Sequence, residues 1–187
     1  IAMGQVPAAH WFKLGRAMTR SGKHATLLSW SGTMFEYLMP ALLMKTYRRT
    51  LWDKTYRGMV RRQIEYARQR AVPFGISESG YYAFDYQMNY QYRAFGVPGL
   101  GFQRGLEEDL VLAPYATIMA IPYAKREALE ALGRMEEMGA RGAHGFFEAI
   151  DCTAKRMPEG QTSVVIRSFM VHHQGMSLLT LANELLP

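Results

Sequence analysis

Cysteine is all but missing from this chain of 187 residues: Cys152 stands alone. No disulfide can close within the chain, no thiolate cluster can hold a metal, and no metal site is expected. With no activating neighbour in sequence, Cys152 reads as a small buried residue rather than a nucleophile, and its isolation fits a reducing compartment. Long apolar runs are missing too. The longest uncharged stretch of the apolar part, residues 110–124, carries Pro114 and Pro122 and falls short of the roughly 20 residues that cross a bilayer. No direct membrane insertion by this segment is therefore expected. The first residues, Ile1-Ala2-Met3-Gly4, have neither the charged region nor the apolar core of a secretory signal. With no initiator Met at the front, the sequence reads as a piece of a longer polypeptide. Nucleotide fingerprints are lacking as well. The glycines of residues 95–101 have neither the order of a dinucleotide loop nor the Lys-Ser/Thr ending of a phosphate loop, so no such cofactor is expected.

What is present is apolar and aromatic mass: 49% of the residues are hydrophobic and 12% aromatic, which excludes a disordered tail and supports a packed core. The net charge of +6 invites a nucleic-acid reading. The cations, however, gather at Lys45, Arg48, Arg49, Lys54, Arg57, Arg61, Arg62, Arg68 and Arg70, along one amphipathic segment. A solvated helix face explains that stripe more simply than an anionic partner does, and no nucleic-acid-binding motif accompanies it.

Trp52, Tyr56, Met59, Val60, Ile64, Ala67 and Ala71 recur at three-to-four spacing and predict the clearest helix. A second is predicted over residues 124–138, stopped by Gly139, and a third from near His172 through Leu178, Leu181 and Leu185. Residues 33–44 read as a mostly buried helix capped by Ser31-Gly32-Thr33 and bent at Pro40, and residues 113–121 as another with Pro114 in its first turn. Residues 89–95 are compatible with a short helix. Extended pieces fit residues 145–150 and 163–170. The apolar stretches 34–44 and 110–121 are predicted to leave a face uncovered. The connections at 73–82 and 95–101 mix glycine and proline with large aromatics, a composition that lines a site more often than it faces bulk water.

Three carboxylates stand among apolar or small residues instead of on charged faces: Glu36 after Met34-Phe35, Glu78 between Ser77 and Ser79, and Glu148 after Phe146-Phe147. Such surroundings suit a general acid, and two carboxyls flanking a scissile bond are the requirement of glycoside chemistry. A buried glutamate bonded to backbone or to an arginine is the competing account of each. The aromatics Trp30, Tyr37, Tyr81, Tyr82, Tyr86, Tyr90 and Tyr92 are suited either to stacking on sugar faces or to a core with bonded hydroxyls. In His172-His173-Gln174-Gly175 the adjacent histidines point to different sides of a helix, so hydrogen bonding to a carboxylate or a sugar hydroxyl fits better than joint metal binding.

Read together, Ser29-Trp30-Ser31-Gly32-Thr33-Met34-Phe35-Glu36-Tyr37, Gly75-Ile76-Ser77-Glu78-Ser79, the run from Tyr90 to Gly101, Ala113-Pro114-Tyr115-Ala116-Thr117, Gly145-Phe146-Phe147-Glu148-Ala149-Ile150-Asp151 and His172-His173-Gln174-Gly175-Met176-Ser177 resemble the glycoamylase-like domain of bacterial cyclic β-1,2-glucan synthases. The resemblance implies an all-α fold, an (α/α)6 toroid of which residues 1–187 form the C-terminal portion of a partial barrel. It implies action on β-1,2-glucan by transglycosylation that closes linear chains into rings, with a glucan hydrolase or a non-catalytic glucan-binding scaffold as alternatives. It places Glu78 and Glu148 as the catalytic pair, with Glu36 third. Trp30, Tyr81, Tyr82, Tyr92, Arg93, His172, His173 and Gln174 are implied to hold glucose units. No cofactor is implied. The other domains of a larger synthase polypeptide are the implied partners, on the cytoplasmic side of the bacterial inner membrane.

Overall fold

The computed structural model describes residues 1–21 and 24–186. Helix α1 (Met34–Leu43) starts where expected, because the Thr33 side chain accepts the Glu36 N–H at 3.0 Å and caps the first turn. Helix α2 (Leu51–Gln69) is capped in the same way by Thr50 and buries Tyr56, Met59, Val60 and Ala67 of the predicted stripe together with Gln63 and Tyr66, while Trp52 and Ala71 are exposed and Ile64 half-buried. Helices α3 (Pro114–Met119) and α4 (Ile121–Glu137) each carry proline in the first turn, where no backbone donor is lost to the helix. Helix α5 (Val171–Leu185) packs on α1 and α3, while α4 packs on α2 and α3.

The helices do not account for the whole chain. Strands β1 (Met18–Ser21) and β2 (His24–Leu27) pair against α2, and β3 (Ser79–Phe84) forms a hairpin with β4 (Tyr90–Arg93). A three-stranded antiparallel sheet runs in the order β5 (Val111–Leu112), β8 (Ala149–Asp151), β9 (Val164–Ile166), and β6 (Arg141–Gly142) pairs β7 (Gly145–Phe146). The all-α expectation thus describes the frame but not the connections. The short helix expected over residues 89–95 is strand β4, in which half-buried Tyr90 and Tyr92 alternate with exposed Gln91 and Arg93. That period of two, with the Asp85 carboxylate accepting the N–H groups of Gln87 and Asn89 to form the turn, favours a hairpin over a helix.

Residues 110–121 are covered almost throughout, so the uncovered face expected there is absent; in the stretch 34–44 Leu43 and Met44 are exposed, and on α5 so are Val171, Leu178, Leu181 and Leu185. Strand β5 and helix α3 account for the difference, since they run through the middle of the core cluster.

Two loops that frame the site are held by contacts that tolerate no side chain or need a particular one. Buried Gln63 accepts the Ile76 N–H at 3.1 Å and donates to the Ile76 carbonyl at 2.8 Å, anchoring the approach to Glu78. A Cβ on Gly96 would lie 1.7 Å from the Ser31 carbonyl oxygen. Gly96→Ala therefore drives apart the loops at 29–32 and 95–101. It is expected to cost at least the upper end of the roughly 1–3 kcal/mol typical of overpacking, read as a lowered denaturant midpoint. A parental midpoint would contradict this close approach.

Candidate active site

Glu78 sits half-buried where the loop from Ile76 enters β3. Its backbone carbonyl accepts the Tyr115 hydroxyl at 2.8 Å, and the Tyr115 oxygen lies 2.9 Å from Ser77 Oγ. Ser77 Oγ in turn accepts the Phe35 N–H at 3.0 Å, so α1, α3 and the β3 loop are tied at one point.

Glu148, just ahead of β8, is 2% exposed. Its Oε1 accepts the Gly80 N–H at 3.1 Å, and both carboxylate oxygens lie 3.0 Å from His173 Nδ1. His173, in the first turn of α5, is fully buried; its ring stacks on Tyr115 with centroids 3.6 Å apart and planes 7° from parallel. Tyr92 of β4 also stands beside it, its hydroxyl 3.2 Å from His173 Nε2 and 3.4 Å from His172 Nε2. Gly80 is paired with Tyr92 in the hairpin register, which sets the Tyr92 ring beside the Glu148 and His173 pair.

The charges of this pocket act on each other. Burial pushes the Tyr92 phenol far above its usual range, and the neighbouring Glu78 carboxyl, then Glu148, push it further. Tyr115 is raised by burial, opposed by its Ser77 hydrogen bond, with Tyr92, Glu148 and Glu78 adding to the rise. The exposed His172 is lowered by partial desolvation and by His173, against the pull of Glu148 and Glu78. Tyr92, Tyr115 and His172 thus each respond to both Glu78 and Glu148.

Glu36 lies elsewhere. Its carboxylate accepts the Ser31 N–H and, at 2.8 Å, the Ser31 hydroxyl, and it lines a separate cleft of about 720 Å³ with Trp11, Tyr37, Trp52 and Phe102. Trp30 is 71% exposed on the neighbouring loop. Arg93 is committed to a salt bridge with Asp109, and its guanidinium stands 4.9 Å over the Phe95 ring. Tyr81 packs edge-on against Phe95 beneath Arg156, and the Tyr82 N–H donates to Asp151 at 3.0 Å, so both brace the hairpin. Gln174, exposed on α5, donates to the Phe146 carbonyl at 3.5 Å. Burial, and then the charge of Asp151, push the Cys152 thiol up to about 12, which suits the inert role expected of it. Among the described residues no group of three His, Cys, Asp or Glu side chains is placed to hold a metal ion, and no helix is long and apolar enough to cross a membrane.

Sequence reasoning does not single out Tyr115 and Ser77, nor the acids Asp109 and Asp151. Tyr115 and Ser77 lie inside two of the motif stretches, so a signal is present; nothing local marks a tyrosine as the stacking partner of a histidine 58 positions later, at 173.

The family model of glycoamylases, described as "Putative glucoamylase", matches residues 3–185. The chain belongs to the glycoamylase family. It is 46% identical over 183 residues to the cyclic β-(1,2)-glucan synthase NdvB of Rhizobium meliloti strain 1021, covering 98% of this chain and 6% of that protein. In fold it is similar to the endo-β-1,2-glucanase of Chitinophaga pinensis, solved with sophorotriose and glucose, at a TM-score of 0.60 and 15% identity. That match covers 90% of this chain and 40% of the glucanase. A "putative glucoamylase" from Bacteroides caccae ATCC 43185 matches at a TM-score of 0.61 and 16% identity, over 95% of this chain and 44% of that one. The glycoamylase family membership and the relationship to glucan-acting proteins agree with what the sequence motifs imply.

Proposed function

We propose that this chain is part of a carbohydrate-active domain that acts on β-1,2-glucan and transfers the chain end onto another hydroxyl of the same polymer, closing rings. The observation that carries this reading is that Glu148, covered, takes the N–H of Gly80 two residues from the half-buried Glu78, and that both carboxyls act on Tyr92 and His172. Glu78 is assigned to the glycosidic oxygen as acid/base, Glu148 is its paired carboxylate, and Glu36 is the reserve candidate. Glucan as substrate is supported by the 46% identity to a β-1,2-glucan synthase, and ring closure by what that relative's name states. The five helices are read as part of an (α/α)6 toroid, residues 1–187 as one segment of that domain, and the parent polypeptide as a larger inner-membrane synthase with this domain on the cytoplasmic side.

Incubating the complete parent protein with linear β-1,2-glucan and weighing the products by mass spectrometry tests the reading. Rings, each one water lighter than a linear chain of the same number of glucose units and without a reducing end, are expected together with the shortened reducing-end fragment that the transfer releases. Shortened reducing chains without rings point to a hydrolase, and bound but unchanged glucan to a scaffold.

A further inference from the structure

Positive charge is unevenly spread along the chain. Residues 1–70 carry thirteen Lys and Arg against Glu36, Asp53 and Glu65, whereas residues 71–187 carry nine against thirteen acids. Two of the three acids in the first part are committed close by: Glu36 is bonded to Ser31, and Asp53 accepts the Arg49 N–H at 2.9 Å and the Arg57 guanidinium at 2.8 Å. Lys45, Arg48 and Arg49 are not on a helix face at all. They stand on the exposed turn between α1 and α2, where the Thr50 hydroxyl donates to the Tyr47 carbonyl at 2.7 Å. Arg49 has a left-handed backbone, φ +66°, which glycine or asparagine adopts more readily than arginine. The bond from its N–H to Asp53 holds it there, so the turn carries a guanidinium where its backbone favours another residue. Large apolar side chains stand out among these cations: Leu43 is 75%, Met44 63% and Tyr47 64% exposed. Glu184, an acid that shares a neighbouring cavity with Lys45, is paired with Lys125 at 3.2 Å.

We propose that the turn from Leu43 to Thr50 docks on the surface of a bilayer that contains anionic phospholipid, with Lys45, Arg48 and Arg49 at the headgroup phosphates and Leu43, Met44 and Tyr47 at the boundary of headgroups and acyl chains. Charge complementarity selects an anionic surface. The exposed apolar residues select lipid over nucleic acid, because leucine and methionine gain from leaving water at the acyl boundary and gain little against a phosphate backbone. Tyrosine next to lysine and arginine is also the composition of a membrane–water interface. Such contact is made from one side and needs no spanning helix; among the described residues no helix is long and apolar enough to be one. The inference uses neither role assigned to Glu78 and Glu148 and is tested apart from them.

The test presents the complete parent protein with bilayers of phosphatidylcholine alone, or of phosphatidylcholine and phosphatidylglycerol in equal parts, and follows acylation of Lys45 by a water-soluble amine reagent through the mass of its peptide. Acylation is expected to be about fivefold or more slower on the anionic bilayer, the scale of one surface cation's attraction, and the difference to shrink as salt is raised. Replacing Arg48→Ser and Arg49→Gly together is expected to remove the difference. Glycine suits the left-handed backbone and keeps the N–H for Asp53, so this variant should unfold at no lower a denaturant midpoint than the parent. Arg141→Ser with Arg167→Ser, the same loss of charge away from the turn, is expected to leave the protection intact. Equal protection of Lys45 on both bilayers means that another part of the polypeptide covers the turn, and overturns the inference. Protection by duplex DNA without any from the anionic bilayer overturns it in favour of a nucleic acid, and no protection by either overturns it outright.

Discussion

Glu78→Gln is expected to abolish turnover of β-1,2-glucan, with kcat down at least about 100-fold, while glucan still binds with near-parental affinity. Glutamine keeps the size and hydrogen-bonding reach of the side chain but neither carries an anion nor passes a proton. The backbone at this position should not move, because the Tyr115 hydroxyl holds the Glu78 carbonyl and Gln63 holds both polar groups of Ile76 two residues earlier. The half-open position of Glu78 also means that no buried partner is orphaned by the change. Turnover measured by product mass and binding measured separately, on the same preparation, tell a chemical loss from a lost site. A glutamine variant that turns over at the parental rate would falsify the assignment of Glu78.

The largest loss of stability is expected from Arg156→Met, about 3–5 kcal/mol, the usual cost of stripping one partner from a buried ion pair. Arg156 reaches Asp151 through Nε at 2.8 Å and Nη2 at 3.1 Å, and also pairs with Asp109. Asp151 is fully buried and Asp109 is 5% exposed, so neither carboxylate can turn to water once the guanidinium is gone. Asp109 would keep Arg93 and Lys155; Asp151 would keep, among the described residues, the N–H groups of Tyr82 and Thr153. Methionine restores much of the packing over Tyr81, which isolates the electrostatic part of the loss.

The same network sets an acid limit. Burial pushes Asp109 up, but the hydrogen bond and charge of Arg156, with Arg93 and Lys155, outweigh it and hold the carboxyl below its usual range. A depressed folded value contributes stability that is full above the unfolded value, about 3.9, and is lost as pH falls through the folded one. Urea unfolding at pH 7 and near pH 3 is therefore expected to show the parental protein losing stability over that interval and Arg156→Met losing less of it. Equal stability of the two proteins at pH 7 would remove Arg156 as the brace of the hairpin.

Much of the frame could be read directly from the chain, since it rests on local rules. The apolar stripe from Trp52 to Ala67 at three-to-four spacing, the Thr33 cap and Pro114 in a first turn are statements about neighbours within a few residues, and α1, α2 and α3 lie where those rules put them. The hairpin from Ser79 to Arg93 was less legible. Its period of two runs for only four residues in β4, too short to outweigh the expectation of helix around it. The motif stretches carried the family.

What the chain alone left open was which of those residues meet. Glu36, Glu78 and Glu148 look alike in sequence, each an acid among apolar or small residues. Only the tertiary fold brings Tyr92, Tyr115 and His173 together beside Glu148 and within the electrostatic reach of Glu78, and leaves Glu36 bonded to Ser31 beside a different cleft. Arg93 met a similar fate, its charge committed to Asp109. The physical reason is range: caps and periodicity act over a turn or two of chain. The Glu148 to His173 and Gly80 to Glu148 bonds instead join residues 25 and 68 positions apart, and exist only once the core has closed around them.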